Sequence, residues 1–195
     1  MAWGLECRAC SLTDVLNLAA LESCTRCALA ASRQRVVVGS GPASASLVVV
    51  GEAPGRNEDE GGEPFVGRSG QLLTRLIADE LHLERADYFI TNAVKCRPPA
   101  NRTPTRLELT TCRAWLDQQL AAFPDALVLA VGNTAGRALF GYRGSLASVR
   151  GRIFRSDQVR GLVTFHPAAA LRGGPSVVAM MREDLRRVAT LWETR

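Results

Sequence analysis

Six cysteines, two histidines and a few polar residues set directly after apolar runs carry most of the chemistry open to this chain. Four cysteines form two Cys-x-x-Cys pairs, Cys7 with Cys10 and Cys24 with Cys27, while Cys96 and Cys112 follow separately. One such pair plus two later thiolates can bind zinc or a 4Fe–4S cluster. Spacing leaves both metals open, and does not decide which pair joins Cys96 and Cys112. Glu52, Asn92 and His166 each stand at the end of an apolar run, and Phe65 sits between a proline and a valine. Asparagine offers a donor and an acceptor suited to a nucleobase edge. Phenylalanine offers a stacking face, and histidine can donate a hydrogen bond to developing negative charge. Singly, each has a structural alternative, as a turn cap, a core ring or a satisfied loop histidine. His82, at a predicted helix end, lies away from any motif.

These groups share a site only if the fold brings them together. Apolar, β-branched runs predict strands at residues 47–50, 88–91, 126–131 and 161–165. The first ends at Gly51-Glu52, the second at Asn92 and the fourth at His166-Pro167. Between them lie helical patterns: Leu72, Leu73, Leu76 and Ile77 on one face, a capping box from Thr105 to Glu108 opening a helix to about Phe123, and a helix ending at Phe140. An amphipathic helix over residues 177–192 closes the chain. Such alternation predicts a parallel α/β sheet, whose strand ends converge on the edge where ligands bind. Residues 51–63 read as a Gly-, Pro- and carboxylate-rich turn, and residues 141–160 as a loop or hairpin.

A chain of 195 residues predicts one domain with a real core. No apolar run approaches membrane-spanning length and the start lacks a signal-peptide form, so the expected setting is cytoplasmic with no membrane partner. There, six cysteines point to metal or redox use rather than disulfides. The net charge of +5 comes almost wholly from arginine; Lys95 is the only lysine. Residues 51–63 carry five carboxylates against one arginine, and residues 143–160 five arginines against one aspartate. A basic wall near an acidic loop suits a nucleic-acid enzyme.

On these residues the chain resembles the family 4 uracil-DNA glycosylases, the iron–sulfur branch of that superfamily, from about Cys24 to Arg172. The motifs are Gly51-Glu-Ala-Pro-Gly55, Glu58-Asp59, Pro64-Phe-Val-Gly-Arg68, Thr91-Asn-Ala-Val-Lys-Cys-Arg-Pro-Pro99 with Asn101-Arg102, and His166-Pro167 with Leu171-Arg172. The resemblance implies a three-layer α/β/α fold with a central, mainly parallel four-stranded sheet. It implies one domain over residues 1–195, with 1–23 as a helical N-terminal extension. The implied activity is monofunctional: deoxyuridine is flipped out of DNA and its N-glycosidic bond hydrolysed, leaving an abasic site in base-excision repair.

By the same resemblance, Phe65 stacks on uracil and Asn92 reads its Watson–Crick edge. His166 stabilises negative charge on the departing base through O2. Glu52 positions or activates water, Asn101 assists catalysis, and Glu58 disfavours the thymine methyl. Ala53 and Gly55 stand where the best-known branch has Asp and a bulky Tyr, so Glu52 serves in place of that Asp. Leu171 and Arg172 are the DNA-contacting pair, although Ala168-Ala-Ala170 before them is slighter than in many relatives. The implied cluster ligands are Cys24, Cys27, Cys96 and Cys112, holding a structural 4Fe–4S cluster; Cys7 and Cys10 are left without a role. A branch that bonds covalently to DNA carries a basic, His-containing insert after the second motif, and residues 100–104 contain no His, implying ordinary turnover. The expected partners are uracil-containing DNA, double- or single-stranded, and downstream abasic-site repair enzymes, with the chain acting as a monomer. Rival readings are a non-catalytic nucleic-acid-binding module of this fold and a zinc-stabilised protein with a non-DNA ligand.

Overall fold

The structure, a computed structural model, describes residues 18–155 and 159–193. Cys7, Cys10 and most of the expected N-terminal extension lie outside the described residues. In chain order the elements are α1 (Leu18–Glu22), β1 (Leu47–Gly51), α2 (Arg56–Gly61), α3 (Arg68–Leu81), β2 (Phe89–Asn92), α4 (Arg106–Ala121), β3 (Leu127–Val131), α5 (Asn133–Phe140), α6 (Leu146–Val149), β4 (Ile153–Arg155), β5 (Arg160–Thr164), α7 (Pro167–Gly173) and α8 (Pro175–Glu193). Short 3-10 turns at Ala28–Ala31 and Pro99–Asn101 complete the set.

The sheet order is β2-β1-β3-β5-β4, with the first four strands parallel and β4 antiparallel at the edge. The four expected parallel strands are present, and the fifth is the hairpin option for residues 141–160. Its three residues are too few to show an alternating pattern in the sequence.

Strands β1 and β3 are buried on both faces, which explains their unbroken apolar runs. Alternate side chains serve opposite layers. Leu47, Val49, Leu129 and Val131 pack with Leu73, Leu76 and Ile77 of α3 and with Met181, Leu185 and Val188 of α8. Val48, Val50, Val128 and Ala130 pack with Leu116 and Leu120 of α4 and Leu139 of α5. The result is the expected three-layer α/β/α arrangement. Arg182 and Arg186 of α8 grip Asp79 and Glu80 of α3, closing the first helical layer at its surface.

Two local readings are corrected. The acidic turn contains a helix, α2, whose buried side chains are Glu58 and Asp59 rather than apolar groups. The Asp59 carboxylate accepts the backbone N–H groups of Gln34 and Arg35, at 3.0 and 3.4 Å, so α2 is anchored by hydrogen bonds. The arginine-rich stretch is not a wall beside this acidic segment. β4 is separated from β1 by β5 and β3, and Arg150 turns inward to Asp184, Glu183 and the Met180 carbonyl.

Candidate active site

β1 and β2 are parallel neighbours in a register that pairs Gly51 with Asn92. The register sets Glu52 beside Asn92 at the C-terminal edge of the sheet, and β5 delivers His166 to the same edge. A cavity of about 490 Å³ opens there. Its lining includes every expected catalytic and base-contacting residue: Glu52, Ala53, Gly55, Glu58, Phe65, Asn92, Asn101 and His166. Arg172 also lines it, whereas Leu171 stands 49% exposed outside it on α7. Arg102 of the Asn101-Arg102 motif adds to the polar wall, with Ser69 and Thr103, which sequence reasoning did not single out. A larger groove, about 830 Å³, runs along residues 33–41, but none of the strand-end groups reaches it.

Glycine makes the inner wall possible. A Cβ at Gly51 would lie 2.4 Å from both Asn92 Oδ1 and Phe65 Cζ, so the ring and the amide meet over a bare backbone. Phe65 has φ of 60°, a left-handed conformation that costs a phenylalanine about 1–2 kcal/mol. Its carbonyl folds back onto α3 at Gly70, where a Cβ would be 1.7 Å from it. Gly132, directly after β3, similarly leaves room for His166, since its Cβ would sit 3.1 Å from that residue's own Cβ. The signal for Gly132 was available: a glycine at a strand end often marks close approach.

Glu58 carries a structural bond as well as a place in the lining. Its Oε1 accepts the N–H of Gly67 at 3.0 Å, tying α2 to the head of α3 below Phe65. Asn101 follows Ala100 in a left-handed pair, with φ of 54° and 53°. Arg97 Nε donates to its Oδ1 at 2.7 Å, which leaves the amide N–H groups for the cavity. The rim at Arg102 and Thr103 is fixed by a two-pronged ion pair from Arg102 to Glu108, at 2.7 and 2.9 Å. The Arg102 hydrogen bond, helped by the Thr105 N–H, pulls the Glu108 carboxyl down to about 2. The expected capping box between Thr105 and Glu108 is present.

His166 caps α7: its Nδ1 accepts the Ala168 N–H at 3.2 Å. That bond makes Nδ1 the unprotonated nitrogen, so the neutral ring carries its proton on Nε2. Burial, reinforced by the positive charge of Arg172 and opposed by Glu58, lowers the imidazole to about 4. The ring centroid lies 6.3 Å from that of Phe65 with a 30° tilt.

A stability prediction follows from this burial. Between about pH 4 and 6.5 the unfolded chain binds a proton at this histidine and the folded chain does not. Folding stability therefore rises with pH across that window, and this contribution is lost as pH falls towards 4. Urea midpoints at pH 7 and pH 5 should fall further for the wild type than for His166→Gln. Equal falls would contradict a buried neutral imidazole.

The thiols form a separate cluster. Cys24, Cys27, Cys96 and Cys112 are free and line one small cavity of about 20 Å³ with Leu21, Lys95 and Trp115. They arrive from three segments: the stretch between α1 and the first 3-10 turn, the run after β2, and α4. Trp115 Nε1 points at Cys24 Sγ at 3.4 Å, and Arg33 Nη1 at Cys96 Sγ at 3.5 Å. Burial pushes the Cys96 thiol up to about 11 and raises Cys112 as well. Clustered sulfurs facing N–H donors fit a bound thiolate-ligated group. Among the described residues, no group of three His, Cys, Asp or Glu side chains is placed to hold a metal ion.

Layer order and strand ends define an α/β protein with a polar cavity of about 490 Å³ at the sheet's C-terminal edge. Comparison with known proteins gives the family. The family model described as "Uracil DNA glycosylase superfamily" matches residues 38–188. The chain is 39% identical over 177 residues to a type-4 uracil-DNA glycosylase of Sulfurisphaera tokodaii, covering 87% of this chain and 80% of that one. It is 40% identical over 173 residues to the type-4 enzyme of Pyrobaculum aerophilum, covering 85% and 87%. It is also 40% identical over 185 residues to that of Saccharolobus solfataricus, covering 90% and 85%. The chain belongs to the uracil-DNA glycosylase superfamily, in its type-4 branch.

Proposed function

We propose that the chain is a monofunctional uracil-DNA glycosylase of base-excision repair, acting on deoxyuridine in double- or single-stranded DNA as a monomer. One observation carries this reading: the Phe65 face, the Asn92 amide and a neutral His166 converge in a single cavity at the sheet edge. The nucleotide must leave the base stack to reach that cavity, because the bond to C1′ is inaccessible in a duplex. The uracil ring then lies on Phe65. Asn92 supplies both a donor and an acceptor, which uracil's O4 and N3–H satisfy. Glu58 stands near the base as the group that disfavours a 5-methyl substituent, with Ala53 and Gly55 forming the slot floor.

Cleavage of the C1′–N1 bond leaves the electron pair on uracil, delocalised to O2, and positive charge on the sugar. His166 Nε2–H donates to O2, stabilising the anion without first having to lose a proton. Glu52, half-buried in the cavity wall, favours the cationic sugar and takes the proton of the water that adds to C1′. Asn101, its oxygen held by Arg97, holds that water from the opposite rim. Leu171 and Arg172 contact the DNA beside the emptied position. The abasic product passes to downstream repair enzymes. Incubation with an oligonucleotide containing one deoxyuridine, followed by alkali, should cut the strand at that position; an uncut strand contradicts the enzyme reading.

Cys24, Cys27, Cys96 and Cys112 would hold a 4Fe–4S cluster, which when bound ties the N-terminal segment to β2 and α4 rather than joining the reaction. Cys96→Ser should remove iron and acid-labile sulfide from the purified protein and lower its melting temperature by roughly 10 °C or more. Stoichiometric zinc in place of iron and sulfide in the wild type would favour the zinc alternative.

A further inference from the structure

Lys95 is the chain's only lysine, and it is 1% exposed. Its ammonium donates to Thr91 Oγ1 at 2.8 Å, to the Asn92 carbonyl at 2.6 Å and to Gln119 Oε1 at 2.5 Å. Three acceptors match the three N–H bonds of an ammonium group. Gln119 Nε2 donates to the Val38 carbonyl at 2.6 Å, which fixes its amide with Oε1 towards Lys95. The other twenty-three of the chain's 24 Lys and Arg residues are arginine. A planar guanidinium cannot point at acceptors converging from three directions, so this position requires the compact head of lysine.

One of the three acceptors belongs to the functional cavity. Asn92 is paired to β1 through its register with Gly51, and the next residue's N–H donates to the Gly51 carbonyl at 2.8 Å. Those bonds fix the strand end on the β1 side; Lys95 grips the Asn92 carbonyl itself. We propose that Lys95 is a positioning residue for base recognition. By holding that carbonyl it sets the angle at which the Asn92 amide enters the cavity. Through its neighbour Cys96 it joins the thiol cluster to the base-reading edge. The inference rests on the functional reading above, and it concerns Lys95 acting through Asn92 rather than touching the base.

The test is a double-mutant cycle on uracil excision with the holoenzyme, comparing wild type, Lys95→Met, Asn92→Ala and the pair. Iron content and thermal midpoint are measured on each. Lys95→Met should lower kcat/KM roughly tenfold or more, and in the Asn92→Ala background it should cost less than about twofold. Lys95→Arg should fail to restore the rate. The same factor lost in both backgrounds, or no loss in either, would overturn the proposal. If Lys95→Met does not fold, Lys95→Arg taken through the same cycle decides by the same criterion. A wild type that releases no uracil overturns the functional reading itself, and this inference with it.

Discussion

Replacing His166 with alanine should lower kcat for uracil release by roughly 10²–10³, the loss typical of one preorganised donor to a developing anion. The argument rests on which nitrogen holds the proton. Nδ1 is occupied by the Ala168 N–H, so only Nε2 remains to donate. Burial and Arg172 keep the ring neutral until about pH 4. A cationic histidine would hold the anion more strongly but would itself be costly in this surrounding. The neutral ring is available over the whole physiological range, so the kcat–pH profile should show no limb from a group near 6.5. Loss of the helix cap could lower stability as well, so melting temperatures are compared alongside. A wild-type kcat in the alanine variant would remove His166 from the chemistry.

Gly51→Ala should cost about 10² in activity while leaving a folded protein. The added methyl would sit 2.4 Å from Asn92 Oδ1 and from the Phe65 ring. Either the amide or the ring must move, and both belong to the base slot. A displacement near 1 Å is enough for a loss of about 10²-fold, whereas overpacking of this size costs stability only about 1–3 kcal/mol. Gly61→Ala is the matched control, since nothing lies within 4 Å of its added carbon. Unchanged uracil excision by Gly51→Ala would mean that the Phe65–Asn92 contact is dispensable.

Much of this arrangement was legible in the sequence for specific reasons. The core strands declared themselves because both faces of β1 and β3 are buried. Polar residues at the ends of such strands share an edge in any parallel sheet, which is why Glu52, Asn92 and His166 could be grouped before any contact was known. The helix α2 was hidden because its inward side chains are Glu58 and Asp59, and apolar periodicity is silent about a helix held by carboxylates. Its charge read instead as an acidic turn, and on its exposed side Glu60 pairs with Arg56. β4 was hidden by brevity, and the inward turn of Arg150 by distance, since its partners lie more than thirty residues away on α8. The same holds for Lys95 and Gln119, which meet across 24 residues with no local pattern to announce it. The choice of Cys24 and Cys27 to join Cys96 and Cys112 was undecided by spacing. The fold gathers those four around Trp115.

The most direct measurement is single-turnover release of free base from a duplex carrying one deoxyuridine, with an otherwise identical thymidine duplex in parallel, followed by chromatography. The account predicts free uracil from the wild type, no free thymine, and a uracil rate reduced by about two orders of magnitude or more in His166→Ala. Tight binding of the duplex without release of uracil, or equal release by wild type and His166→Ala, would contradict it.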